Sequence, residues 1–446
     1  MVGGARSGWL LVVLTLLFST AGLAATWHVN PGDDIQQVIN NANSGDIVIF
    51  APGTYNLAGK ITVDKELTIL GAQANLDPRP SAGGRTGPET VLVGAANNPV
   101  FDIKASNVVI NGFTIVGQIS DPSKNIVQEV DSLVSANVRV MYNIITNNGT
   151  KMNEAVKIRT GTTPYIAYNY IYNIPSPGDA INFDGVTDGV IAYNEVHNSG
   201  SENAAIYVYN STGTQIIWNI VDTTTQNDGI KLGSKNGSDA TKSGGVIAFN
   251  VVRNTAQDGI TVYMSDVIVE GNIVTGSKSE NGALYLAFGI RNIIIRYNTI
   301  INNTLNTRKW GTPGGITIGS QVDVSTVQIY GNTITGNSPR DIANFATGDP
   351  LLDATGNWWG QATGPLPSQI QGNVAYSPWL GNDPSQPTWV FVVAKAGPEL
   401  PAGYLQTGLN LARPGDVVLI KAGEYVTQGL INKSITLIGE WGAVIK

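Results

Sequence analysis

The chain contains no cysteine. Disulfides, thiolate-ligated zinc and thiol nucleophiles are therefore excluded. Histidine is nearly absent: His28 and His197 are the two present, beside four methionines, too few for a histidine-rich or soft-metal site. Charge is scarce as well. Asp, Glu, Lys and Arg make up 13% of the residues, against about a quarter in an average domain. The net charge is −7 and no Lys/Arg cluster occurs, so the basic stripe that nucleic acid requires is missing. An apolar run of about 20 residues, the length of a membrane span, is also lacking. The longest, 9–18, follows Arg6 and precedes the small residues Gly22 and Ala24. That is the layout of a signal peptide. Residues 1–24 are set aside, and the mature chain is expected outside the cytoplasm: secreted or at the cell surface, with the periplasm as the alternative.

What replaces charge is Asn, Thr, Ser and Gly, alongside a hydrophobic fraction of 42%. These residues fall into a repeat. VRVMYNII, YIAYNYI, GVIAYNEV, QIIWNIV, VIAFNVV, VIVEGNIV, IIIRYNTI and VQIYGNTI share an apolar strand, an Asn and a second apolar pair, and DATGNWWG is a degenerate copy. The repeated residue is Asn143, Asn169, Asn194, Asn219, Asn250, Asn272, Asn298, Asn332 and Asn357. An earlier copy, VVINGFTI, places Phe113 in that slot. Short β-branched strands at a period near 25 residues, with no helical pattern between them, predict one solenoid coil per repeat. Tight turns call for αL geometry or a side chain that bonds its own backbone, which accounts for the Asn. Stacked coils would place the amides about 4.8 Å apart, close enough for an internal ladder. Ile35, Val38, Ile39 and Ala42 follow helical spacing after Asp33 and Asp34, which predicts a short helix capping the open first coil. The expected fold is all-β: a right-handed parallel β-helix over 25–381 with an N-terminal capping helix.

Over residues 26–380 these features resemble the pectin-lyase-like superfamily of right-handed parallel β-helices, in its branch of secreted parallel-β-helix-repeat surface proteins. The resemblance implies contact with polysaccharide. It does not bring catalysis with it. The pectate-lyase signatures are absent, as is the polygalacturonase set of Asn-Thr-Asp, Asp-Asp, Gly-His-Gly and Arg-x-Lys. A copper-accessory β-helix also shares such repeats, but this chain lacks the soft ligands for it. NWWGQATGP with VAYSPWL (357–380) resembles the closing coil of secreted β-helix proteins, with Trp358, Trp359 and Trp379 closing the core.

After a linker at 382–387, within the Gly/Pro/Ser stretch GNDPSQPT, the N-terminal pattern begins again. IQQVINNANSGDIVIFAPGTY is matched by LQTGLNLARPGDVVLIKAGEY, and KELTILG by KSITLIG. Residues 388–446 therefore read as the start of a second β-helix unit: a cap helix and about two coils. Two coils cannot bury a core alone. The unit is expected to continue in a longer protein, to fold onto the first solenoid, or to join another copy head to tail.

One strand of each coil carries the candidate chemistry. Aligned, these strands read EAVKIR, DAINFD, AAIYVY, DGIKLG, DGITVY, GALYLA and GGITIG. Their third and fifth residues are apolar and should face inward, so the fourth and sixth should face out. The outward set includes Lys157, Arg159, Asp184, Tyr207, Tyr209, Lys231, Tyr263 and Tyr285. A long loop adds Trp310. Tyr207, Tyr209, Tyr263, Tyr285, Lys157 and Trp310 are the candidate sugar contacts, because aromatic rings stack on sugar faces. Asp179, Asp184, Asp228, Asp258, Lys231 and Arg159 are the candidate catalytic groups. Asp228 and Asp258 lie on adjacent coils, about 5 Å apart, as in a retaining glycosidase. Alternatively Asp179, Asp184 and Asp228 could hold Ca²⁺ while Lys231 or Arg159 abstracts a proton. No cofactor is required otherwise. His197, just after a ladder Asn, is expected in a turn. The leading expectation is an exported polysaccharide-binding or extracellular-layer protein. The runner-up is a lyase or glycoside hydrolase using the face between 154 and 317, and a head-to-tail fibre is the third.

Overall fold

The computed structural model describes residues 24–129, 134–233, 242–306, 311–427 and 431–446. All but the last residue of the expected signal peptide, 1–24, and the candidate sugar contact Trp310 lie outside them.

Each coil of the first unit contributes three short strands. They stack, parallel, into sheets of fourteen, twelve and eleven strands. A representative coil runs Arg139–Met141, Ile144–Asn147 and Glu154–Arg159, one strand for each sheet, before Tyr165–Ala167 rejoins the first. Register is strict: Val156, Ile181, Ile206, Ile230 and Ile260 pair in sequence down the twelve-stranded sheet. Alternate residues on these strands, such as Val156 and Ile158 or Ile206 and Val208, point into one continuous core and are fully buried. The chain is a right-handed parallel β-helix.

The Asn ladder stands at the turn between the fourteen- and eleven-stranded sheets. Each Oδ1 accepts both the backbone N–H and the Nδ2–H of the preceding Asn; for Asn219, accepting from Asn194, the distances are 2.9 and 3.0 Å. The ladder runs from the Phe113 N–H, which donates to Asn143, to Asn357. A second, shorter ladder joins Asn303, Asn337 and Asp341.

Of the two turn readings, the structure bears out the side chain that bonds its own backbone, as where Asn194 Nδ2 donates to the Ala192 carbonyl. The αL residue is the one before the Asn. Tyr142, Tyr168, Tyr193, Trp218, Phe249 and Tyr297 hold φ between 54° and 59°, and Gly271, Gly331 and Gly356 take the same place elsewhere. The αL conformation costs an L-residue about 1–2 kcal/mol. Ring stacking offsets part of that cost. Tyr142, Tyr168 and Tyr193 stack at 4.8 Å, and Trp218 on Phe249 at 4.5 Å. The loop before Thr90 lies over this row: Arg79 sits 5.4 Å from the Tyr168 ring centre, and Arg85 donates to the Tyr142 carbonyl.

Helix α1 (Ile35–Asn41) caps the first coil, with Asp34 accepting from the Gln37 N–H. Lys65 closes its other end by donating to the Asn40 and Ala42 carbonyls. The second unit repeats the device. Helix α2 (Tyr404–Leu411) has Lys433 on the carbonyls of Leu409, Asn410 and Ala412. Cations at a helix C-terminus complement the macrodipole. Asp46 and Asp416 likewise accept the N–H groups of Ala25 and Trp389, each at the head of its unit. The second unit rests on the first: Val390–Val393 pairs antiparallel with Trp379–Leu380, and Trp389 packs 6.0 Å from Tyr297. Its far side is open, with Leu437, Ile438 and Val444 exposed and Trp441 99% exposed. Among the described residues no helix is long and apolar enough to cross a membrane.

Candidate functional site: a groove along the twelve-stranded sheet

The outer face of the twelve-stranded sheet gathers the candidate residues. Strand register sets Lys157, Asn182, Tyr207, Lys231, Thr261, Tyr285 and Thr317 in one column. Extended backwards, the same column includes Gln128 and Asp102. Eight inter-strand steps separate Asp102 from Thr317, a span of about 38 Å.

Pointing away from the core does not mean pointing into water. Neighbouring side chains bury Lys157, Asn182, Thr261 and Thr317, and leave Tyr207 only 9% exposed. Partly exposed are Arg159, Asp184, Tyr209, Lys231, Tyr263 and Tyr285. These form the reachable floor, and Tyr209 and Tyr207 lie nearly parallel at 5.4 Å. Tyr263 meets Tyr285 and Phe288 edge-on. At one end a cleft of about 500 Å³ is lined by Glu280, Asn281, Tyr285, Thr317 and Phe345. At the other, a cleft of about 430 Å³ lies over Asp102 and Gln128.

The acids at the first position of the aligned segments sit beneath this floor. Asp179, Asp228 and Asp258 are each at most 2% exposed. Asp228 pairs with Lys231 at 2.8 Å, and Lys231 also donates to the Asn203 carbonyl. Its ammonium lies about 6 Å from the ring centres of both Tyr207 and Tyr263, in cation–π range. The Thr261 hydroxyl lies within hydrogen-bond distance of both acids, 3.0 Å from Asp228 and 2.9 Å from Asp258. Asp258 also accepts from Ser279 and Asn281. Burial, and then the neighbouring Asp228, push the Asp258 carboxyl up to about 7. Burial also raises Asp228, against the pull of Lys231. Asp179 is pushed by burial up to about 8, although the Asn203 and Ala204 N–H groups donate to it. Glu154 pairs with Lys157 at 2.7 Å, and Arg159 stands 3.7 Å from Asp184.

The Ca²⁺ set fares poorly. Asp179 faces backbone donors, Asp228 faces an ammonium and Asp184 faces a guanidinium, so their oxygens do not converge. Among the described residues no group of three acids or histidines is placed to hold a metal. His197 is also corrected: it lies on the strand Glu195–Ser199, where repeated coils extend the chain, and pairs with Glu195 at 2.8 Å. Asp102, Gln128 and the lysines around them escaped the sequence reading. Their coils precede the Asn ladder, so the repeat alignment did not reach them.

No family model matches the chain, and no curated protein matches it. Solved structures do. The A-module of the Azotobacter vinelandii mannuronan C-5 epimerase AlgE6 superposes with a TM-score of 0.52 at 16% identity, covering 77% of this chain and 94% of the module. The chain has the pectin-lyase-like β-helix fold. The PL6 family alginate lyase AlyGC follows at a TM-score of 0.42 and 14% identity, covering 94% of this chain and 68% of that one. A DFA-IIIase from Arthrobacter chlorophenolicus A6 reaches 0.39 at 15% identity, over 72% and 85% of the two chains. At these identities the likeness is one of fold.

Proposed function

We propose that this is an exported protein that binds an extended polysaccharide along the groove of the twelve-stranded sheet. The carrying observation is the row of Tyr209, Lys231, Tyr263 and Tyr285, partly exposed on neighbouring coils between two clefts. Tyrosine offers a large rigid face for the C–H side of a sugar ring and a hydroxyl for its polar edge. A flat, repeating floor suits a repeating ligand. The AlgE6 module, which has the same fold, is named for its action on mannuronan, a ligand of this class.

The ionisable groups favour binding over turnover. Lys231 is engaged by Asp228 at 2.8 Å and by the Asn203 carbonyl, which leaves its amine committed to the protein. Tyr207 and Tyr209 have phenols raised by burial, the wrong direction for proton abstraction. The specific observation for turnover is Asp258, held near neutrality beside Asp228, as a general acid would be. Both acids, however, are buried behind Thr261. A hydrolase would need them to reach the glycosidic oxygen.

The test is a panel of acidic and neutral polysaccharides incubated with residues 25–446, with and without Ca²⁺. Sedimentation of insoluble polymers reports binding, and velocity sedimentation of the free protein reports head-to-tail assembly. Binding with no new chain ends supports the proposal. Unsaturated ends would establish a lyase, new reducing ends a hydrolase, and absence of binding would overturn the groove reading.

A further inference from the structure

The cleft over Asp102 and Gln128 differs in charge from the rest of the molecule. Its lining sets four cations, Lys60, Lys104, Lys124 and Arg159, against one acid, Asp102, in a chain of net charge −7. Asp102 is buried and organises the amines from below. Its Oδ2 lies 2.6 Å from the Lys60 Nζ and 3.9 Å from the Lys104 Nζ. Its Oδ1 accepts from Gln128, whose own carbonyl accepts from Asn125. Both lysine side chains remain more than 40% exposed at the mouth. Bordering acids reduce the surplus: Asp184 beside Arg159, Asp121 near Lys124, and the buried Glu129, which accepts the Arg159 backbone N–H and whose carboxyl burial pushes up to about 7; Glu154 is offset by its partner Lys157. Amides of Asn97, Asn98 and Asn153 share the lining and can serve hydroxyls.

We propose that this cleft is an anionic-sugar subsite, which takes the carboxylate or sulfate groups of an acidic polysaccharide. The inference rests on the groove reading and names its ligand class. Gln128 and Tyr207 are three register steps apart, about 14 Å. One polymer therefore reaches the cations and the tyrosine row together. Lysines act as adjustable point charges for such groups, and Arg159 supplies a planar fork.

The experiment measures binding of three oligosaccharides of equal length, one uronate-based, one sulfated and one neutral, at low and high salt. Wild type is compared with the double variant Lys104→Ala/Lys124→Ala and with Lys60→Gln, which keeps a donor toward Asp102. Lys104 and Lys124 are exposed, so the fold should tolerate their loss. The anionic ligands should bind more tightly than the neutral one and weaken with salt. The double variant should bind them about three- to tenfold more weakly, the scale of two exposed charge contacts, with neutral binding unchanged. Carboxylate preference over sulfate, or the reverse, identifies the source of the charge. Equal binding of anionic and neutral ligands, or anionic affinity untouched in both variants, overturns the subsite. The groove reading survives that result if a Tyr209→Ala/Tyr263→Ala variant still loses the neutral ligand. If no ligand binds wild type, both fail.

Discussion

Removing one rung tests whether the Asn ladder holds the solenoid together. In an Asn219→Ala variant five hydrogen bonds disappear at a fully buried position. Oδ1 no longer accepts the Asn194 N–H and Nδ2–H. Nδ2 no longer donates to the Ile191 and Ile217 carbonyls or to Asn250. Each bond is worth about 1 kcal/mol net, and the two Nδ2 hydrogens are shared among three acceptors, which gives a loss of about 4 kcal/mol. The cost should not fall lower, because the Asn194 N–H is left buried with no acceptor, and alanine is too small to shield it. Urea unfolding followed by far-ultraviolet circular dichroism gives the magnitude. Amide hydrogen exchange gives the location: coils contact only their neighbours, so lost protection should centre on the coils of Asn194 and Asn250. An Asn98→Ala control, at a partly exposed loop position where the side chain makes a single hydrogen bond to the Ala96 carbonyl, should change stability by about 1 kcal/mol or less. A loss under about 1 kcal/mol in Asn219→Ala, or a loss of protection spread evenly over the chain, would refute the reasoning.

Two further outcomes are expected. Asp179 carries a folded-state pKa of about 8, above its ordinary value of 3.8, so the stability it contributes is full below about pH 4 and is lost as pH rises through 8. An Asp179→Asn variant keeps the acceptor for the Asn203 N–H, and its urea midpoint should fall less than that of wild type between pH 5 and pH 9; parallel pH profiles would contradict this. Lys231→Met strands the buried Asp228 and should cost about 3–5 kcal/mol, whereas Lys231→Met/Asp228→Asn should recover much of it. No recovery in the double variant would mean that the lysine stem, rather than the ion pair, matters.

The fold was readable because a solenoid writes its geometry once per coil. Asn143 through Asn357, with Ile and Val in register around them, carry period, interior and turn in the same few residues. The duplicated Lys65 and Lys433 were visible as repeats, and the structure adds what they do: each closes a helix end. The site was readable only in part. Alternation correctly sent Tyr209, Lys231 and Tyr263 outward, but it could not show that Lys157 and Thr261 would be covered by neighbours. It left the burial of Asp228 and Asp258 open, since Asp228 is covered through Lys231 and Thr261, and Asp258 through Ser279 and Asn281. The stacked Tyr142, Tyr168 and Tyr193 were present in the text as the residue before each ladder Asn. Nothing in the sequence marks them as αL, because an aromatic in αL is uncommon and only stacking makes it sensible.

The most direct measurement of the groove is affinity against ligand length. Calorimetric titration with oligosaccharides of increasing size should show affinity rising with each added sugar. It should level off once the ligand spans the distance from Asp102 to Thr317, about 38 Å. Tyr209→Ala/Tyr263→Ala/Tyr285→Ala should flatten that rise while the far-ultraviolet spectrum stays that of the folded β-helix. A short oligosaccharide that binds as tightly as a long one, or a rise that survives the loss of all three rings, would contradict a groove along this face.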